Sequence, residues 1–121
     1  MKFIKWVSFS IILGTIVLFT PLDLSAQLFF HDGNNLARFM HEYDKHERGD
    51  PSTNYFECGL YAGYVTGAYD AMRSDFNAPE ATTINQICSI VGKYLKGNPG
   101  KLTQPASILI RDALRKAFPK K

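Results

Sequence analysis

The spacing of the apolar residues constrains this chain most, because in four stretches it follows the period of an α-helix. None of the four alternates between apolar and polar residues as a half-buried β-strand does. In the first stretch, over about residues 34–47, one helical face carries Leu36, Phe39, Met40 and Tyr43. This spacing is typical of an amphipathic helix.

Caps and helix breakers mark the other three predicted helices. We expect the second over about residues 54–73, the third from Thr83 to Gly97 and the fourth from about Thr103 to Pro119. Thr83 and Gln86 fit a capping box, in which each residue satisfies a main-chain amide of the other. Four amphipathic helices with short connections predict an all-α fold, a compact helical bundle.

The amino-terminal segment has the pattern of an export signal. Lys2 and Lys5 lead into an apolar run over residues 6–19, and a run of that length is shorter than the ~20 residues that span a bilayer as a helix. Pro21 interrupts the run, and Leu24-Ser25-Ala26 resembles a cleavage site. We therefore expect a signal peptide over residues 1–26, a mature domain over residues 27–121 and a periplasmic protein without a membrane anchor. An uncleaved anchor is the alternative.

Composition places the chain among ordinary globular proteins and restricts its partners. Hydrophobic residues make up 45% of the sequence, and 14 basic residues against 11 acidic ones give a net charge of +3. Such a weak excess does not favour nucleic acid as a partner. At the carboxyl end, basic residues are suited to steering an acidic partner, to contacting anionic lipid, or simply to complementing the helix C-terminus while staying solvated: Arg111, Arg115, Lys116, Lys120 and Lys121.

Two cysteines, Cys58 and Cys88, are the only ones in the chain. In an exported protein an even number of cysteines favours a disulfide, so we expect these two to pair. The alternative is two buried free thiols.

Small residues recur at every fourth position of the second predicted helix: Gly59, Gly63, Gly67 and Ala71. Each glycine inside a helix costs about 1 kcal/mol relative to alanine, so something must offset this cost. Close packing of another helix of the same chain is one explanation. The other is a seam between two copies in a homodimer.

The histidines and cysteines, residue types that are often catalytic or metal-binding in other proteins, are not arranged here as an active site. His41 and His46 enclose a near match to the zinc signature H-E-x-x-H, but they are five residues apart and therefore diverge around a helix. Cys58 and Cys88 fall on apolar helix faces, where a thiol is a poor nucleophile. We expect no enzymatic activity, no cofactor and no metal site.

Five segments, in this order and spacing, resemble the periplasmic immunity proteins of type VI secretion, the Tai-type amidase-immunity family. They are Asp32-Gly33-Asn34-Asn35-Leu36, the run from Gly63 to Ala71, Pro79 with Thr83-Ile84-Asn85-Gln86-Ile87, the run from Val91 to Leu95, and the run from Ala113 to Pro119. The resemblance implies a small helical periplasmic protein that binds and blocks a peptidoglycan amidase effector.

The chain departs from that family at the cysteines. Tyr61, Asn77 and Lys120 stand where members usually have cysteine, and Met40 stands at the place of a first-helix cysteine. A bond between Cys58 and Cys88 would then replace the usual covalent framework.

The loop between the second and third predicted helices is the leading candidate for contact with such an effector. Its candidate residues combine one aromatic side chain with charged and polar ones: Arg73, Asp75, Phe76, Asn77 and Glu80. An exposed aromatic anchor within a polar rim is typical of a binding surface. In the alternative, Phe76 folds back onto the core. The alternative function is that of a structural or chaperone-like periplasmic protein.

Overall fold

Four α-helices form the framework of residues 30–121, the part of the chain that the computed structural model describes. They are α1 (Gly33–Glu47), α2 (Tyr55–Ala71), α3 (Ile84–Gly97) and α4 (Ala106–Ala117), with 3-10 turns at Arg73–Asp75 and Pro99–Lys101. This part of the chain contains no β-strand, so the predicted all-α bundle is confirmed. The predicted signal peptide, residues 1–26, lies outside the described residues.

The helices begin where the local sequence predicts. The Asp32 side chain caps α1 by accepting a hydrogen bond from the Asn35 amide at 2.9 Å. Asn54 caps α2 by accepting from the Glu57 amide at 3.1 Å. At α3 both hydrogen bonds of the capping box are present, so that prediction is also confirmed. Each cap satisfies a main-chain donor that the first turn of a helix leaves free.

Two helix pairs share one core, because α1 packs mainly on α2 and α4 packs mainly on α3. The largest fully buried side chains come from all four helices: Tyr61, Leu36, Leu109, Ile110, Leu114, Val65, Val91 and Cys88. Tyr61 lies at the centre, and its hydroxyl donates a 2.6 Å hydrogen bond to the main-chain carbonyl of Cys88. This bond ties α2 to α3 inside the core. Burial raises the pKa of Tyr61 well above its usual value.

Main-chain contacts at Gly33 join α1 to the connection that precedes α4. The Gly33 amide donates to the Gln104 carbonyl at 2.9 Å, and the Ala106 amide donates to the His31 carbonyl at 3.0 Å. A Cβ on Gly33 would lie 2.5 Å from Cδ1 of Leu109 and 2.7 Å from Cα of Leu102. Only glycine allows this approach, because any side chain would overlap with these atoms.

No helix within residues 30–121 is both long enough and apolar enough to cross a membrane.

Replacing Gly33 by alanine tests the importance of the close contact between Gly33 and residues Leu102 and Leu109. We expect Gly33→Ala to lower the free energy of unfolding by about 1–3 kcal/mol, as overpacked sites do. Gly97→Ala is the matched control, because nothing lies within 4 Å of a Cβ at Gly97. Urea denaturation of both variants measures the difference. Equal stabilities would show that the Gly33 contact does not constrain the bundle.

Candidate partner-binding surface

Phe76 belongs to the core of the protein and is not an exposed anchor for a partner. Its side chain is only 3% exposed, and its ring lies 5.1 Å from the Tyr69 ring and 6.5 Å from the Phe118 ring, measured between centroids. In the free protein Phe76 therefore folds back onto the core, and its assignment as a contact residue stays a prediction. Burial of a phenylalanine stabilises a fold by about 1.5–3 kcal/mol, which favours packing over exposure in the free protein.

Arg73, another of the candidate contact residues, is exposed, and its side chain holds the loop together. Its guanidinium donates to the main-chain carbonyls of Ala78, at 2.8 Å, and Phe76, at 3.4 Å. The same group lies over the rings of Tyr69 and Phe76, 5.5 and 5.7 Å from their centroids. Arg73 thus joins the two ends of the turn that surrounds Phe76.

Other main-chain contacts restrict the rest of the loop. The Asn77 amide donates to the Phe118 carbonyl at 3.0 Å, and the Thr82 hydroxyl donates to the Pro79 carbonyl at 2.6 Å. The side chains of Asn77 and Glu80 remain exposed, and Asp75 is half-buried. Together with Arg73, Asn77 and Glu80 are therefore exposed candidate residues on a loop whose main chain is already held in place.

A shallow groove of about 590 Å³ lies directly beside this loop. We call it the loop groove. The loop, the exposed face of α3 and the residue after α4 line it, with Pro79, Ala81, Thr82, Asn85, Gln86, Ser89, Ile90 and Phe118. These side chains are apolar or polar, and none carries a charge. Nothing in the sequence indicated this groove, because only the fold brings the residue after α4 next to α3.

The small-residue positions of α2 face away from the rest of the chain. Gly59, Gly63, Gly67 and Ala71 are all exposed, and nothing lies within 4 Å of a Cβ added to any of the three glycines. The prediction of close packing within the chain is therefore wrong, because α1, α3 and α4 all pack on the other faces of α2. The seam between two copies stays a prediction.

Close packing between helices involves a different glycine. A Cβ on Gly92 of α3 would lie 3.3 Å from the Met40 sulfur and 3.4 Å from the Tyr61 hydroxyl oxygen. Gly92 therefore allows α1 and α2 to approach α3 in the core. No regular spacing in the sequence indicated this role.

Cys58 and Cys88 are separate, buried thiols in the structure. Burial raises the pKa of the Cys58 thiol, and it raises the pKa of the Cys88 thiol to about 11. Buried thiols of raised pKa carry little thiolate at neutral pH and react slowly. The disulfide between them stays a prediction.

The histidines of the zinc-like motif, His41 and His46, do not belong to a metal-binding cluster among the described residues. His41 and His46 are both exposed, and the ring of His46 lies edge-on to Tyr55 at 5.8 Å. Among residues 30–121, no three His, Cys, Asp or Glu side chains lie close enough together to hold a metal ion.

The family model of the Rap1a immunity proteins matches residues 33–119. The chain therefore belongs to the Rap1a immunity family, a type VI secretion immunity family. This match confirms the predicted resemblance to immunity proteins of type VI secretion. No curated protein and no solved structure matches the chain.

Truncating Phe76 and Asn77 separately distinguishes a core residue from a surface residue. We expect Phe76→Ala to lower the free energy of unfolding by about 3–5 kcal/mol, as in other cores. Asn77→Ala should change it by less than about 0.5 kcal/mol, because only the Asn77 main chain is hydrogen-bonded. Urea denaturation measures both. A neutral Phe76→Ala variant would show that the ring is not part of the core in solution.

Proposed function

We propose that the mature protein, residues 27–121, is a periplasmic immunity protein that inhibits a peptidoglycan amidase effector of type VI secretion. The match to the Rap1a immunity proteins over residues 33–119 carries this proposal. The signal-like pattern of residues 1–26 supports export to the compartment where peptidoglycan lies. The order and spacing of the five family-like segments support an amidase as the target.

The loop and the loop groove are the surface that we assign to the effector. Hydrogen bonds from Arg73, Asn77 and Thr82 hold the loop before any partner is bound. A preorganised loop loses little conformational entropy on association, so more of the contact energy appears as affinity. Asn77 and Glu80 form the polar rim. The bound protein would inhibit by covering the effector's cleft, without taking part in any reaction.

We also propose that the exposed face of α2 is a seam between two copies of the chain. Phe56 is 75% exposed and Tyr55 66% exposed, and both lie at the amino end of the small-residue stripe. Gly59 and Gly67 are each four residues from Gly63. A two-fold axis at Gly63 would therefore set the aromatic end of one helix against the small-residue end of the other, which is the self-complementarity that a symmetric dimer needs.

Capture of the partner tests the immunity function. Tagged protein, expressed from its full coding sequence and recovered from the envelope of the source organism, should retain one stoichiometric peptidoglycan hydrolase, identified by mass spectrometry. That hydrolase should lose its activity on purified peptidoglycan when the protein is added. Recovery of many envelope proteins in small amounts would contradict the proposal and favour the chaperone-like alternative.

A charged side chain in the loop groove should disrupt inhibition without disrupting the fold. We expect Ser89→Arg to weaken binding of the captured hydrolase by at least about 30-fold, the effect of losing a hot spot. The control, His41→Arg, places the same side chain at an exposed position on α1 and should bind normally. Normal inhibition by Ser89→Arg would move the binding surface elsewhere on the bundle.

Light scattering after size-exclusion chromatography tests the seam. The unmodified protein should have twice the mass of one chain, and Gly63→Arg should reduce this to the mass of one chain. Gly97→Arg, at an equally open glycine on α3, should leave the mass unchanged. A single-chain mass for the unmodified protein would contradict the seam.

A further inference from the structure

Charge is segregated between the two helix pairs, although the net charge of the chain is small. Residues 31–84, which include α1 and α2, contain four Lys or Arg and nine Asp or Glu. Residues 85–121, which include α4 and nearly all of α3, contain eight Lys or Arg and a single acidic residue, Asp112. The α3–α4 pair is therefore strongly basic, and the α1–α2 pair is acidic.

Part of this positive charge is already compensated within the molecule. Lys96 pairs with Asp44 of α1 at 2.7 Å, and Arg111 lies 3.5 Å from Asp112. Arg115 and Lys116 fall in the last turn of α4, where cations complement the helix dipole. Lys93 and Lys101 are compensated in neither of these two ways. Among the described residues they form no ion pair, and they do not lie in the last turn of an α-helix.

These two lysines and Lys116 surround a groove of about 520 Å³ between α3 and α4, the cationic groove. Lys93 and Lys116 line it directly, from different helices. Lys101 reaches it through Tyr94, because its ammonium lies 3.4 Å from the Tyr94 hydroxyl oxygen and 5.7 Å from the centre of that ring. The remaining lining residues are uncharged: Ile90, Tyr94, Gly97, Asn98, Ala113 and Ala117.

The cationic groove lies next to the loop groove, because Ile90 lines both. A partner that fills the loop groove and extends along α3 would therefore meet an apolar surface with ammonium groups around it. Such a surface complements a segment that presents carboxylates beside apolar side chains. A flat layer of lipid headgroups fits a concave site less well, because the lysines converge on a groove between two helices.

We propose that the cationic groove binds an acidic segment of the effector, an inference that rests on the immunity function proposed above. Carboxylates of that segment bind Lys93 and Lys116, while its apolar side chains contact Ile90 and the ring of Tyr94. The positive potential of the groove also accelerates encounter with an acidic partner, and salt screens this acceleration.

The association rate of the captured effector tests this role. At low salt, the double variant Lys93→Glu with Lys116→Glu should associate at least about tenfold more slowly than the unmodified protein. The control, Lys120→Glu with Lys121→Glu, makes the same change of net charge at exposed residues outside the groove, and should slow association by less than about threefold. Equal rates for the two double variants would overturn the role of the groove and leave the immunity function intact.

A model ligand tests the chemistry of the groove without the effector. Addition of a peptide of alternating glutamate and leucine should shift the NMR signals of Lys93, Tyr94 and Lys116, and the matched glutamine–leucine peptide should not shift them. Equal shifts with both peptides, or none with either, would overturn the proposal. Vesicles of phosphatidylglycerol and phosphatidylcholine should not bind the protein. Binding of vesicles that the groove variants abolish would instead identify a lipid site and overturn the assignment to a protein segment.

Discussion

The contact between Gly33 and the connection before α4 is the constraint on which the rest of the bundle depends. It places the first turn of α1 directly on the main chain of residues 102–104 and against the side chain of Leu109. Main-chain donors at the start of a helix need partners, and here carbonyls distant in sequence supply them. Because α1 packs on α2 and α4 packs on α3, this contact joins the two helix pairs at one end.

The hydrogen bond from Tyr61 to the carbonyl of Cys88 joins the same pairs in the middle of the core. Gly92 allows Met40 and Tyr61 to approach α3 at this level. With the core held at one end and in the middle, the loop after α2 packs against a defined support. Phe76 inserts into that support, and Arg73 closes the turn around it. The proposed binding loop is therefore held both by the core packing of Phe76 and by hydrogen bonds of its own side chains.

The proposed effector surface combines two physical properties that lie side by side along α3. The loop groove is uncharged, so contacts there depend on shape, apolar burial and hydrogen bonds. The cationic groove adds long-range attraction for an acidic partner. The cationic groove would then contribute to the rate of encounter as well as to binding, because complementary charge steers association.

Local features of the sequence predicted the secondary structure well, because helix caps and apolar spacing act over a few residues. The start of α3 follows from Thr83 with Gln86, and apolar periodicity indicated the buried face of α1. Family membership was also accessible, because it depends on the order of short segments. The sequence by itself therefore determined the fold class, the approximate helix limits and the immunity family.

Only the tertiary structure decided which glycines lie at close contacts and which loop residues face solvent. The regular spacing of Gly59, Gly63 and Gly67 suggested packing within the chain, yet these residues face outward, while the isolated Gly33 and Gly92 lie at the close contacts. Phe76 is buried because Tyr69 and Phe118 meet beside it. The two grooves exist because α4 and the residue after it pack against α3. Each outcome depends on residues far apart in the chain, and the free energy of such contacts is set only when the helices pack.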